Sequence, residues 1–218
     1  GKAGALVRTV ESHASYYERW AQNWEFQALL KARFAAGDSE LAERYLQKIS
    51  PMVWLATGRE GFVETAQRMR ERVLEHIPAA ELNRQIKLGA GGLRDIEFTV
   101  QLLQLVHGRT DPRVRTQDTI SSIRALSQAG YISREDAHVF EVDYKFLRTV
   151  EHRIQFSNMR RSHLMPEQET QIRSLARGLN IRQSADEFTK NWERIKLEVR
   201  SLHQKVFYRP LLSAVAKL

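Results

Sequence analysis

Apolar side chains recur at three- and four-residue steps along almost the whole chain, a period that admits helices and little else. Tyr16, Tyr17, Trp20, Trp24, Ala28 and Leu29 mark one helix predicted over about 6–34, stopped by Gly37-Asp38. Asp38 can cap the next, which runs to about 49 and is predicted to break at Ser50-Pro51. Phe62, Ala66, Met69, Val73 and Ile77 mark a third over about 60–76, ended by Pro78. After a glycine cluster at 89–92, further helices are predicted over about 92–106, 116–130, 133–160, 166–178 and 184–212. Thr116 and Ser133 serve as caps, and Gly108, Gly130 and Gly178 as stops. No alternating strand pattern or Asn-Gly hairpin signal interrupts the series. The predicted fold is therefore all-α: an antiparallel helical bundle with long helices and no sheet. It reads as a single helical domain over 5–218, with room for a break near 51–58. Met52 and Trp54 beside that break read as core.

The composition agrees. Of 218 residues 42% are hydrophobic and 28% charged, with only 11 Gly and 5 Pro, which suits a cored helical domain better than a loop-rich one. No run approaches the roughly 18 apolar residues of a membrane span. No apolar segment follows Lys2 and Arg8 as it would in a signal peptide. The absence of cysteine excludes disulfides, thiolate metal sites and a thiol nucleophile, and is compatible with the cytoplasmic location expected here. Gly1 reads as an expression scar, so the natural chain is expected to extend upstream. The net charge of +8 raises the question of a polyanionic partner. Its 34 basic and 26 acidic residues are interspersed, without four consecutive Lys/Arg, which favours a mixed surface or an acidic protein or nucleotide partner over nucleic acid.

The most informative segment is Lys87-Leu88-Gly89-Ala90-Gly91-Gly92-Leu93-Arg94-Asp95-Ile96-Glu97-Phe98. Plotted at about 100° per residue, Arg94, Glu97, Gln101 and Gln104 share an arc roughly 80° wide in an otherwise apolar helix. That arc reads as a narrow exposed stripe where a ligand could reach Arg94 and Glu97. Asp95 points instead into the apolar arc beside Phe98 and Leu102. A carboxylate there is costly unless paired, by several kcal/mol on the order of magnitude, although the free N–H groups of a first helical turn favour it. Bracing the helix start or pairing with an Arg competes with facing a cleft. The glycines likewise allow two readings: a phosphate cradle at a helix N-terminus near Lys87, or a tight turn with close packing. Neither a dinucleotide fingerprint nor a Walker loop is present.

Secondary candidates lie on two other helices. Glu25, Lys31 and Arg33 follow Trp24 on what is otherwise an ordinary amphipathic helix with snorkelling bases. Arg148, Glu151 and His152 share faces of the long helix, where His152 suits a helix-to-helix hydrogen-bond network. No His-Glu-x-x-His motif exists and the histidines are scattered, so no metal site is expected within the chain. Nucleotidyl transfer needs acids to hold Mg²⁺ against phosphates, commonly a Gly-Ser turn followed by Asp-x-Asp on a strand, and neither occurs. The chain therefore carries no complete catalytic site.

Several segments together resemble the bacterial glutamine synthetase adenylyltransferase/adenylyl-removing family: Trp24 to Arg33 with Ala36-Gly37-Asp38, Lys87-Leu88-Gly89 with Gly91 to Phe98, Gln101 to Gly108, Phe146-Leu147-Arg148 with Val150-Glu151-His152-Arg153, and Ser162-His163-Leu164-Met165-Pro166. They fall in the family's order and cover about 5–170, more weakly the remainder. The resemblance implies the helical domain that follows the N-terminal nucleotidyltransferase domain, the latter lying upstream of this chain. Arg94 is similar to the half that removes AMP from a glutamine synthetase tyrosine by phosphorolysis, releasing ADP; the adenylylating half tends to carry a small residue there. Tyr16 to Trp20 and the wording of the motif suggest an actinobacterial source. The family's cofactors, Mg²⁺ and ATP, ADP or phosphate, would belong to the parent enzyme and not to this fragment alone, which is expected to be inactive. The implied partners are the upstream catalytic domain, glutamine synthetase and a PII-type regulatory protein. In such enzymes the helical domain helps wall the cleft, so Lys87 and Arg94 would meet phosphate or adenylyl oxygens while Asp95 and Glu97 orient those bases. A docking module for glutamine synthetase or the PII-type protein is the alternative, and a helical nucleic-acid binder a more distant one.

Overall fold

The computed structural model describes residues 7–59 and 61–208. Nine α-helices carry the described residues: α1 Val10–Arg19, α2 Asn23–Leu29, α3 Ser39–Leu55, α4 Phe62–Glu75, α5 Leu93–Gly108, α6 Thr119–Gln128, α7 Arg134–Asn158, α8 Glu169–Gly178 and α9 Ala185–His203. Among the described residues no strand forms, and Gln85 meets Leu164 in one isolated antiparallel bridge. The all-α expectation holds.

Several boundaries differ from the sequence reading, each for a local reason. The long first helix is two. Gln22 and Glu25 form a reciprocal capping box that starts α2, and Arg59 donates to the Ala21 and Tyr17 carbonyls at the end of α1 (2.6 and 3.3 Å). The break at Ser50-Pro51 does not occur: α3 runs through Pro51 to Leu55, where a 3₁₀ turn over Ala56–Gly58 follows. Pro51 and Gln47 are both exposed, so water can serve the carbonyl that Pro51 leaves unbonded. Asp118, not Thr116, caps α6 through Ser121 N, while Thr116 bonds Ser122. The shorter helix starts at Glu169 rather than Pro166. The last helix gives way at Gln204 to one π turn ending at Tyr208; Pro210 and Leu212 lie outside the described residues, as do Gly1, Lys2, Leu6 and Glu60. Asp38 and Ser133 cap as their sequence positions suggest, and Ser184 caps α9.

Two apolar cores share α5. Leu93, Ile96, Val100 and Leu103 pack with α6 to α9; Phe98, Leu102 and Leu105 pack with α1 to α4. Met52 and Trp54 join the second core. Thirteen of the 16 residues of α5 are buried, which explains why its sequence is apolar nearly all round.

One buried acid on α7 is unused by either core. Asp143 is 2% exposed, its Oδ2 has no partner, and burial, with Glu198 nearby, pushes its carboxyl up to about 6 from 3.8. Below about pH 4 both folded and unfolded chains hold the proton; from pH 4 to 6 the folded chain must retain it or bury a charge, so stability falls as pH rises through that window. Asp143→Asn is expected to raise stability by about 1–3 kcal/mol at pH 8 and to lose that advantage at pH 4. Thermal melts of both proteins across that range check it; an advantage independent of pH would contradict the assignment.

Candidate functional site

The glycine-led segment is a packing device. Gly91 has φ +74°, and a Cβ there would overlap the Lys196 carbonyl of α9. A Cβ on Gly89 or Gly92 would stand 2.7 Å from the carbonyls of Gln85 and Ile86. The N–H groups from Gly91 to Asp95, which include the first turn of α5, are spent: Gly91 N donates to Asp95 Oδ2 (2.6 Å), Gly92 N to Gly89 O, Leu93 N to Ile86 O, Arg94 N to Lys87 O and Asp95 N to Gly92 O. The tight-turn reading is the one observed, and the cradle reading is set aside.

Asp95 is 3% exposed and faces away from solvent. Its Oδ1 accepts from Arg70 Nε of α4 at 2.6 Å, and Arg70, 1% exposed, also donates to the Gly89 carbonyl at 3.1 Å. His203 Nε2 of α9 lies 3.6 Å from the same Oδ1, and its Nδ1 lies 2.7 Å from Thr99 Oγ1. Burial lowers the His203 pKa against the pull of Asp95. One carboxylate thus ties α4, the glycine turn, α5 and α9 together. Arg70, Thr99 and His203 were not singled out in the sequence.

The second polar cluster opens onto a cleft of about 1190 Å³ between α2, α4, the 85–88 segment, α5 and α7. Lys31, Lys87, Arg94, Glu97 and Arg148 all line it. Glu97 is 5% exposed, which corrects the expected exposed stripe: Arg94 Nη1 (3.1 Å), Arg148 Nη2 and Tyr144 Oη (3.3 Å) all donate to it. The rest of that stripe is covered too. Gln101 accepts from Gln27, and Gln104 donates to the Val114 and Thr116 carbonyls, each at 2.8 Å.

Glu151, 1% exposed, lies under the cleft, where it takes Lys87 Nζ at 3.0 Å and Arg148 Nη1 at 2.6 Å, with His163 Nδ1 at 3.1 Å. Burial works against its charge, but Lys87 and Arg148 outweigh it and hold the carboxyl below its ordinary value. Lys87, Glu151, Arg148, Glu97 and Arg94 therefore alternate in sign as one chain of contacts. Lys31 Nζ donates to Thr119 Oγ1 at 3.0 Å nearby, and packing around it lowers its pKa. Lys87, Arg94 and Arg148 share two buried carboxylates and Lys31 bonds neither, so the cluster keeps a positive excess with fixed geometry.

The remaining candidates lie elsewhere. Glu25 serves the α2 cap and accepts from Tyr16 Oη. Arg33 reaches only the Phe34 carbonyl (3.4 Å). His152 is on the exposed face of α7, in place of the helix-to-helix network expected for it. No described helix is long and apolar enough to cross a membrane.

Comparison with known proteins fits this architecture. The family model described as GlnD PII-uridylyltransferase matches residues 64–207, more than half of the chain, and the one described as Glutamate-ammonia ligase adenylyltransferase matches residues 1–48. Three relatives named "Bifunctional glutamine synthetase adenylyltransferase/adenylyl-removing enzyme" are similar over essentially the whole chain: 57% identical in Leifsonia xyli subsp. xyli, 53% in Streptomyces avermitilis and 50% in Mycobacterium leprae. The chain spans 22% of the length of each. The similarity thus extends past residue 170, where the sequence motifs thinned. The chain belongs to the family that the PII-uridylyltransferase model describes, and its resemblance to glutamine synthetase adenylyltransferase holds along its full length.

Proposed function

We propose that this chain is the helical, cleft-forming part of a bifunctional glutamine synthetase adenylyltransferase/adenylyl-removing enzyme, and that its cationic wall serves phosphorolytic removal of AMP from a glutamine synthetase tyrosine. The observation that carries the reading is the set of partly exposed cations, Arg94 (39%), Arg148 (27%) and Lys87 (20%), held in place by two carboxylates exposed by 6% or less. Guanidinium groups fixed in this way present their remaining N–H donors to phosphate or adenylyl oxygens without reorganising. Glu97 and Glu151 orient those bases. They do not suit Mg²⁺, since each is already neutralised by Arg or Lys; metal-holding acids and ATP chemistry are assigned to the rest of the enzyme. Contact with glutamine synthetase, and with a PII-type regulator, is assigned to the assembled enzyme on the names of its relatives and the family resemblance.

In the full-length enzyme, Arg94→Ala is expected to lower deadenylylation by about 10²-fold, as for other charge-stabilising donors, with the melting temperature moved by less than about 2 °C because Arg94 is partly solvated. Unchanged deadenylylation at an unchanged melting temperature would remove the cleft role.

A further inference from the structure

The cleft is lined by apolar side chains as well as by charged ones. Beside the cations, Trp24 of α2, Met69 and Val73 of α4 and Ile77 just beyond it also line the cleft, the last three at four-residue steps and interleaved with Arg72 and His76. Phe98 lines the cleft as well, with the Arg94 guanidinium 6.0 Å from its ring centre. Trp24 is 49% exposed and also borders a second cavity, of about 440 Å³, between α2 and α4. Its indole is therefore a large flat apolar surface at the rim that neither core needs. A bare phosphate would touch the cations and leave the apolar side chains wetted. A phosphate ester carrying a flat ring would cover both.

We infer that Trp24 is a specificity-determining residue: with Met69 it receives the planar ring of a phosphate ester whose phosphoryl group lies on Lys31, Arg94 and Arg148. The inference rests on the proposed anion-facing role of the cleft and adds to it the residue that reads the ring. An indole stacks on purine and phenyl rings alike, so the cleft selects for a flat ring as such. The two halves of the ligand respond differently to salt, because the phosphoryl contacts are screened and ring contact is not.

The test is calorimetric titration of the 218-residue chain with AMP, phenyl phosphate, inorganic phosphate and adenosine. AMP and phenyl phosphate are each expected to bind at least tenfold more tightly than inorganic phosphate, with adenosine weakest. Trp24→Ala abolishes that preference and leaves phosphate affinity unchanged, Trp24→Phe keeps part of it, and Arg94→Ala weakens every phosphate-bearing ligand. Equal affinity for AMP and inorganic phosphate, or a ring preference that survives Trp24→Ala, would overturn the inference and leave the anion-facing cleft standing. No binding of any phosphate, with or without Arg94, would take both readings down. Matching circular dichroism and melting curves show that the Trp24 variants are folded, as half exposure of the side chain leads one to expect.

Discussion

Asp95→Ala is expected to lower the melting temperature by roughly 10 °C or more. Removing the carboxylate leaves Arg70, 1% exposed, as an uncompensated charge in the interior, a change that costs about 3–5 kcal/mol in buried pairs. For a chain of this length each kcal/mol shifts the midpoint by about 2–4 °C. The loss also strips Gly91 N of its acceptor and removes the group facing His203, so the effect spreads from the glycine turn to the end of α9. Arg70→Met combined with Asp95→Asn is expected to recover most of the stability, because neither residue then buries a charge and the amide can still cap Gly91. Thermal melts of the single and double variants decide the matter. A shift of less than about 2 °C for Asp95→Ala would mean that the pair does not brace the fold.

Gly91→Ala is expected to be nearly as damaging, for an independent reason. The residue sits at φ +74°, where an L side chain costs about 1–2 kcal/mol, and the added methyl would overlap a backbone carbonyl of α9 that cannot swing aside as a side chain could. Gly130, at φ +82° with nothing within 4 Å of its would-be Cβ, separates the two contributions. Gly130→Ala should cost only the conformational part, a few degrees of melting temperature, whereas Gly91→Ala should cost about 3–5 kcal/mol and loosen α9 from α5. Equal effects at the two positions would show that the close approach of Lys196 is unimportant.

Both sites show what the sequence could and could not supply. Asp95 lay on the apolar arc of its helix, so its burial was legible from spacing alone. Arg70 carried the same signal: it falls four residues after Ala66 and seven before Ile77, on the buried stripe of α4, and a cation there calls for a buried partner. Pairing the two was within reach of the periodicity. Glu97 was not. Its arc was correctly polar, but what covers it is Arg148, 51 residues further on, and helical spacing says nothing about which distant helix closes over a stripe. Gln101 and Gln104 were misread as exposed for the same reason. The missed boundary at Ala21–Gln22 had a local mark in Gln22-x-x-Glu25, a weak variant of the capping box that continuous apolar spacing overrode. Pro51 failed in the other direction: a proline on an exposed helical face need not end a helix when water can take the orphaned carbonyl.

One short segment thus carries a brace and a working face on adjacent residues. Asp95 holds the fold, and Arg94 meets the ligand. The most direct measurement is deadenylylation and melting temperature recorded side by side for Arg94→Ala and Asp95→Ala in the full-length enzyme. The account predicts that Arg94→Ala loses activity at an unchanged melting temperature, while Asp95→Ala loses stability first and retains activity in proportion to the fraction still folded. Arg94→Ala that melts early and loses activity only as it unfolds, or keeps full activity, would contradict it.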